Sequence, residues 1–140
     1  MRKFIAATII ALVAVSAGAW ASVGWEQDYD TALTKAKKEG KLVMVDVYTD
    51  WCGWCKKLDK DTYSNKDVET KVTKEFIALK INPEKGAQNK KLAKQLGTRG
   101  YPHIVFLDAQ GKKLAEIAGY VPAKEFLDRL NQVTAHAQKK

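Results

Sequence analysis

The sequence predicts an α/β fold in which helices cover both faces of a central mixed sheet. The early strands are separated by helical stretches, and such strands need parallel crossover connections. The last two strands, at residues 103–108 and 113–118, are joined by a tight turn and must run antiparallel. The strand at residues 42–48 (LVMVDVY) is apolar at both parities, which is typical of a strand covered on both faces.

The first 21 residues are predicted to form a secretory signal peptide that is not part of this fold. Arg2 and Lys3 give a positive start, residues 4–15 are apolar apart from Thr8, and residues 19–21 (AWA) are a small-x-small cleavage pattern. The apolar run is short for a membrane span, which needs about 20 residues. An uncleaved anchor is the alternative. Residues 22–140 then form one domain, long enough for one hydrophobic core.

The domain is predicted to begin with a helix followed by the central strand. Asp28 or Asp30 caps the helix, which extends to Glu39. Gly40 ends the helix, because glycine readily adopts the left-handed conformation of a helix C-cap. The strand at residues 42–48 comes directly afterwards.

Two more helices are predicted between this strand and the next. One begins at Cys52 and runs through Leu58. The other covers residues 66–76, where apolar residues recur at a spacing of four. Its cap is either Ser64 or Asn65.

The second half of the domain is predicted to contain three strands and two helices. Residues 77–82 alternate apolar with smaller or polar side chains, which predicts a strand with one apolar face. A short helix over residues 92–96 ends at Gly97, and the two antiparallel strands follow. A final helix begins at Pro122, and residues 135–140 are expected to fray. The inner face of that helix is formed by Phe126, Leu127, Leu130 and Val133.

The net charge of +8 does not indicate a nucleic-acid partner. The lysines are scattered apart from short pairs such as Lys37-Lys38 and Lys90-Lys91, and no basic stripe is interleaved with aromatic residues. Solvated helix faces explain the charge more simply. We therefore expect no nucleic-acid binding.

The chemistry is predicted to lie in Cys52 and Cys55, the two cysteines of the chain. A disulfide between them closes a very small loop and constrains the unfolded chain little, so a structural role is a poor explanation. Residues at i and i+3 of a helix lie on one side, which lets the two sulfurs reach bonding distance. At the helix start Cys52 is favoured as a thiolate and nucleophile, and the more buried Cys55 is the resolving thiol.

A single CxxC motif could also be half of a zinc site. The chain has no second CxxC, and its two histidines, His103 and His136, are far away in sequence. A CxxC at a strand-to-helix junction of an exported protein favours redox chemistry. We predict no metal site.

Asp46 is a carboxylate in the middle of an otherwise apolar strand. An unpaired buried carboxylate is unfavourable, and its pKa tends to rise. Asp46 precedes Cys52 by six residues, so the strand can bring it beneath the disulfide, where it would relay a proton to or from Cys55. Lys80, on the next strand, is a candidate partner on the same side of the sheet. The alternative is a structural Asp46 at a strand end, paired with a lysine; we favour the relay because perturbed carboxylates cluster at functional sites.

Tyr101-Pro102 precedes the buried strand at residues 103–108. Proline cannot donate a hydrogen bond to a strand ladder. A cis bond here would expose the backbone of Tyr101 to an extended substrate segment. Only about 5–6% of X–Pro bonds in folded proteins are cis, so the two residues taken by themselves favour the trans isomer.

Together these motifs resemble the thioredoxin superfamily, over roughly residues 25–133. They occur in the order of its central strand, active site, cis-proline loop, closing hairpin and following glycine. The segments are 45–47 (VDV), 51–56 (WCGWCK), 100–102 (GYP), 106–108 (FLD), 111–112 (GK) and Gly119. Residues 50–52 and 57–76 also resemble the C-terminal domain of the bacterial thiol:disulfide interchange reductase and small periplasmic proteins related to it.

The resemblance implies a thioredoxin fold for residues 22–140 and a role for four side chains. Cys52 would be the attacking cysteine and Cys55 the resolving one. Asp46 would be the buried acid–base aspartate, and Lys80 the lysine that often accompanies it. No cofactor is implied, because electrons come from a partner dithiol.

The resemblance also implies a substrate-binding surface around the cysteines. Pro102 would be cis, with Tyr101 beside the substrate. Gly53-Trp54 stands where cytoplasmic thioredoxin has Gly-Pro, and Tyr101 replaces a small or β-branched residue. Both differences fall where redox potential and partner choice are set, so the direction of electron flow stays open. Trp54 is either a surface aromatic or a partner-docking side chain, and Trp51 is expected to pack beside the motif.

The leading hypothesis is a periplasmic, monomeric enzyme that reduces disulfides of exported proteins by dithiol–disulfide exchange. Its electrons would come from a membrane or periplasmic donor. An oxidant or isomerase is the alternative among enzymes, although no dimerisation module that would serve an isomerase is evident. A CxxC metal-delivery module and a redox-inert scaffold are the alternatives from other classes.

Overall fold

A computed structural model describes residues 22–139, so the predicted signal peptide at residues 1–21 lies outside the described residues. Within them are five strands: β1 (Trp25–Glu26), β2 (Leu42–Val47), β3 (Phe76–Ile81), β4 (His103–Leu107) and β5 (Lys113–Ala118). They form one sheet of order β1-β3-β2-β4-β5. β3 is parallel to β1 and β2, whereas β4 is antiparallel to β2 and β5. The predicted mixed sheet is confirmed.

The helices cover both faces of this sheet. They are α1 (Tyr29–Glu39), α2 (Gly53–Leu58), α3 (Lys66–Glu75), α4 (Ala87–Gln95) and α5 (Ala123–Gln138). A π-helical turn at Asp59–Tyr63 continues α2 without a break. One core layer lies between the sheet and α3, α5 and the π-helical turn, and the other lies between the sheet and α1 and α4. No helix within residues 22–139 is long and apolar enough to cross a membrane.

β2 lies at the centre of the sheet and contributes to both core layers. Val43, Val45 and Val47 face α1 and α4, while Met44 faces the α3 and α5 side. Because side chains alternate along a strand, Asp46 lies on the same face as Met44. This explains the apolar residues at both parities that predicted a central strand.

Local capping fixes the ends of the first helix as predicted. The Asp28 carboxylate accepts a hydrogen bond from the Thr31 N–H at 2.8 Å, which satisfies one of the free donors of the first turn. At the other end Gly40 adopts a left-handed conformation with φ 64° and ψ 37°, and the chain turns directly into β2.

Besides the π-helical turn, the structure differs from the predicted elements in four places. β1 was not predicted, and its two residues are too few to show any periodicity. β3 is covered on both faces rather than one, because Ala78 is buried in the α3 and α5 layer. α4 begins at Ala87, five residues before the predicted start at residue 92. α5 continues to Gln138, past the point where fraying was expected, because Val133 and Thr134 are still buried.

Candidate active site

The two cysteines lie at the junction between β2 and α2. Cys52 is the N-cap of α2, Gly53 opens the helix, and Cys55 follows in the first turn. Cys52 and Cys55 form a disulfide, and the Cys55 N–H donates a hydrogen bond to Cys52 Sγ at 3.1 Å. The same N–H would stabilise a Cys52 thiolate after reduction. Both cysteines are almost buried, whereas Gly53 is exposed and a Cβ there would meet nothing within 4 Å.

Asp46 and Lys80 are neighbours in register on β2 and β3, on the same face of the sheet. Asp46 is fully buried, and Lys80 Nζ lies 3.2 Å from its Oδ2. The same ammonium lies 2.7 Å from Oδ1 of Asp59, the residue that follows α2. The Asp59 N–H in turn donates to the carbonyl oxygen of Cys55. The acidic cluster Asp46–Lys80–Asp59 is therefore connected to Cys55 through Asp59, which lies one helical turn further along the chain.

Three aromatic rings surround the ammonium group of Lys80. Its Nζ lies 4.7 Å from the ring centroid of Tyr48, 4.9 Å from that of Trp25 and 5.6 Å from that of Tyr63. Only 16% of the Lys80 side chain is exposed. The ring faces compensate part of the lost hydration of the ammonium, and they confine it between the two carboxylates.

Burial and neighbouring charges have opposite effects on the pKa values of Asp46 and Lys80. Burial raises the pKa of Asp46 above its ordinary value, although the charge and hydrogen bond of Lys80 act in the opposite direction. Burial also lowers the pKa of Lys80, but Asp46 and Asp59 outweigh it and the net pKa is raised. Burial, and then the charge of Asp46, hold the pKa of Tyr63 well above its ordinary value. Burial thus favours the protonated form of Asp46, while Lys80 favours its ionised form.

The geometry bears on both interpretations of Asp46. It is paired with a lysine, as the structural interpretation required, but it is enclosed by β3 and β4 and its carboxylate is 1% exposed. Its Oδ1 has no hydrogen-bond partner among the described residues. A buried carboxylate oxygen without a donor is suited to accept a proton.

The Tyr101-Pro102 bond is cis, as the resemblance implied. The expectation of a trans bond from the two residues alone is wrong. Val47 pairs with His103 across β2 and β4, so Pro102 lies at the edge of the sheet where β2 ends and the chain continues to Cys52. The cis-proline loop and the cysteines therefore share one end of the sheet.

Two exposed tryptophans flank the disulfide. Trp51 is 66% exposed; its ring meets Tyr101 edge to face at 5.8 Å, and its Nε1 donates to Glu84 Oε1 at 2.9 Å. Trp54 is 59% exposed and lies 5.6 Å from the Tyr120 ring. Aromatic rings that are held on one edge and exposed on the other are typical of protein-binding surfaces.

Three residues of this site were not predicted from the sequence: Asp59, Glu84 and Tyr120. Asp59 follows Cys55 by four residues, and that helical spacing was the signal that could have placed it under the cysteines. Glu84 and Tyr120 come from loops, where no periodicity marks a side chain's direction.

Among the described residues, neither histidine side chain forms a hydrogen bond with the cysteine pair. His103 bonds Thr98 through Nδ1 at 2.9 Å and Glu116 through Nε2 at 2.8 Å. His136 is exposed near the end of α5. Between residues 22 and 139, no group of three or more His, Cys, Asp and Glu side chains is arranged to hold a metal ion.

A CxxC disulfide at the start of a helix, a buried aspartate on the preceding central strand and a facing cis-proline loop define a thioredoxin-like redox protein. Comparison with known proteins agrees: residues 29–134 match the family model of the thioredoxin-like domain. The chain belongs to this family, and it is a thioredoxin-like thiol–disulfide oxidoreductase whose CxxC pair is Cys52 and Cys55.

The chain is also similar to individual proteins. It is 40% identical over 108 residues to the thiol:disulfide interchange protein DsbD of Vibrio cholerae, covering 75% of this chain and 18% of that protein. The chain thus spans less than a fifth of that relative. A thioredoxin from Thermus thermophilus superposes with a TM-score of 0.72 and 26% identity, over 81% of this chain and 88% of that one. The oxidised C-terminal domain of DsbD from Neisseria meningitidis gives 0.63 and 25%, over 74% and 90%.

Proposed function

We propose that the protein is exported and reduces disulfides of periplasmic proteins through Cys52 and Cys55. The observation that carries this direction is the acidic cluster Asp46–Lys80–Asp59 next to Cys55. Strong disulfide oxidants owe their potential to a stabilised reduced form. Two carboxylates around one ammonium leave the cluster with a net negative charge when Asp46 is ionised, and that charge disfavours a nearby thiolate.

The exchange runs in two steps that move two electrons from the dithiol to the substrate. The Cys52 thiolate attacks one sulfur of the substrate disulfide; a mixed disulfide forms as the substrate S–S bond breaks, and the first substrate sulfur leaves as a thiolate that takes a proton from water. Cys55 then passes its proton to Asp46 and attacks Cys52 Sγ. The Cys52–Cys55 disulfide forms as the mixed disulfide breaks, and the second substrate sulfur leaves as a thiolate. Lys80 favours the ionised form of Asp46, which is the form that can accept this proton.

The substrate would lie across the surface formed by Trp51, Gly53, Trp54, Tyr101 and Pro102. Gly53, which lies between the two cysteines in the sequence, is exposed and has open space around it, which leaves room for a second chain next to the motif. The two exposed tryptophans would supply apolar contact area on either side of the mixed disulfide.

Export, location and partners rest on the N-terminal pattern and on the relatives. The residues before 22 are predicted to be a signal peptide, and the relatives bear the name thiol:disulfide interchange protein. We propose protein thiols and disulfides as substrates, and a membrane or periplasmic dithiol as the electron donor. The domain would act as a monomer.

Single-cysteine variants test the assigned roles. Incubated with a protein that carries an accessible disulfide, such as insulin, reduced Cys55→Ser should accumulate a mixed disulfide through Cys52, because the resolving thiol is missing. Cys52→Ser should trap none and lose turnover. The bands are read on a non-reducing gel, and dithiothreitol should dissolve them. Turnover by Cys52→Ser, or trapping that needs Cys55 rather than Cys52, contradicts the proposal.

A further inference from the structure

A groove of about 810 Å³ lies beside the cis-proline loop and does not belong to the dithiol chemistry described above. Its lining includes Lys90 and Lys94 of α4, and Arg99 and Tyr101 of the loop that follows α4. The groove contains one acidic side chain, Glu84. Three cations thus face one carboxylate.

The cations of the groove are not neutralised by the protein itself. Within residues 22–139, Lys90, Lys94 and Arg99 form no ion pair with a carboxylate, and all three are exposed. Lys90 and Lys94 stand at i and i+4 of α4, an arrangement of like charges that weakens a helix. The Glu84 carboxylate accepts a hydrogen bond from the Trp51 indole at 2.9 Å and forms no ion pair with these cations within residues 22–139. With three cations and one carboxylate, the groove carries a net positive charge.

The groove opens directly onto the redox site. Tyr101 is both a wall of the groove and the residue before the cis-proline. Its ring contacts Trp51, which precedes Cys52. A chain whose cysteine is bonded to Cys52 can therefore continue past Trp51 into the groove, advancing about 3.3–3.6 Å per residue when extended.

We propose that this groove binds an acidic, extended segment of the partner protein, next to the cysteine that reacts with Cys52. The inference rests on the proposed function and adds the chemistry of the partner to it. Arg99 is suited to grip a carboxylate through two parallel N–H groups, while Lys90 and Lys94 act as point charges. Charge complementarity of this kind acts mainly on the rate of association and is screened by salt.

Synthetic peptides of matched length provide the test. Each carries one cysteine, capped as a mixed disulfide with 2-mercaptoethanol, followed by four Glu, four Gln or four Lys residues. The reduced protein converts each to the peptide thiol and free 2-mercaptoethanol, and its own two thiols become the Cys52–Cys55 disulfide. Tryptophan fluorescence in stopped flow follows the second-order rate constant.

The Glu peptide should react roughly tenfold faster than the Gln peptide at low ionic strength, with the Lys peptide slowest. The preference should shrink towards unity at about 1 M salt, where the screening length is about 3 Å. The double variant Lys90→Glu/Lys94→Glu should abolish or invert the preference, and Lys90→Gln/Lys94→Gln should give an intermediate ratio. The matched control Lys74→Glu/Lys124→Glu has the same change of net charge on α3 and α5, across the sheet, and should keep the wild-type ratio.

The outcomes separate this inference from the function on which it rests. If the wild type reduces none of the three peptides, the proposed reductase function fails. If it reduces all three at equal rates, or if the control variant loses the preference as fully as the groove variant, the groove proposal alone is overturned, because the effect is then absent or due to net charge.

Discussion

At the scale of single residues, the site depends on one lysine shared between two carboxylates. Lys80 Nζ is closer to Asp59, at 2.7 Å, than to Asp46, at 3.2 Å. The exposed Asp59 therefore has the shorter contact with Lys80, and the charge of the buried Asp46 is only partly compensated. This is why burial remains the dominant influence on its pKa.

The raised pKa of Asp46 has a consequence for stability that depends on pH. The folded protein holds the Asp46 proton more tightly than the unfolded chain does. Stability from this group is thus fully present below the unfolded pKa of about 3.9 and is lost as the pH rises through the folded pKa. Asn does not titrate, so the Asp46→Asn variant lacks this pH-dependent loss of stability. Its free energy of unfolding should therefore rise relative to that of the wild type as the pH rises from 4 to 8. Urea unfolding of the oxidised proteins measures the difference.

Asp50→Asn is a suitable control for this experiment, because Asp50 also pairs with a lysine, Lys85 at 3.0 Å, but lies at the surface. A relative stability of Asp46→Asn that falls with rising pH would show that Lys80 outweighs burial and would reverse the sign assigned here.

Part of this site could be predicted from residues alone. A carboxylate within an apolar strand identified Asp46, and strand alternation brought Lys80 to the same face. Asp59 was missed because it lies in a polar, charged stretch, where its spacing of four residues from Cys55 was the one signal of its position. The π-helical turn that continues α2 brings its carboxylate to Lys80.

At the scale of elements, capping decides where α3 begins. The sequence offered Ser64 and Asn65 as caps, since both residue types are favoured at that position. Asn65 is extended, with φ −68° and ψ 131°, and its Oδ1 accepts from the N–H groups of Asp67 at 3.0 Å and Val68 at 3.2 Å. Ser64 instead has a helical backbone and its hydroxyl donates to the carbonyl of Lys60.

Asn65→Ala should therefore lower the free energy of unfolding by about 1 kcal/mol, the usual contribution of a side-chain cap. Ser64→Ala, one residue earlier, should change it by no more than about 0.5 kcal/mol, as expected for an exposed position. Urea unfolding at pH 7 gives both values. A larger loss for Ser64→Ala than for Asn65→Ala would contradict the assignment of the cap.

Elements with a strong periodic pattern were predictable, and the short or irregular ones were not. α1, β2 and β4 lie within a residue of their predicted ends, because caps and apolar runs mark them. The two-residue β1 owes its existence to pairing with β3, and such pairing leaves no local trace in the sequence. The π-helical turn likewise depends on packing, since Tyr63 is buried against Trp25 and Phe126.

At the scale of the whole molecule, the sheet order creates the active site. β2 and β4 are antiparallel neighbours, and the Val47–His103 pair brings the end of one to the start of the other. The cysteines after β2 and the cis-proline before β4 therefore meet. Layering on both faces followed from the apolar pattern of β2, but the order β1-β3-β2-β4-β5 could not be derived from it, because a pattern identifies buried faces and not pairing partners.

The central claim is that the Cys52–Cys55 pair is a reductant, and its reduction potential tests this most directly. The oxidised protein is equilibrated with dithiothreitol or glutathione at pH 7, and the fraction of dithiol is determined by thiol trapping. We expect a value near the thioredoxin level of about −270 mV, because the acidic cluster disfavours the thiolate form. A value near the strong-oxidant level of about −120 mV would contradict the account and assign the protein to disulfide formation.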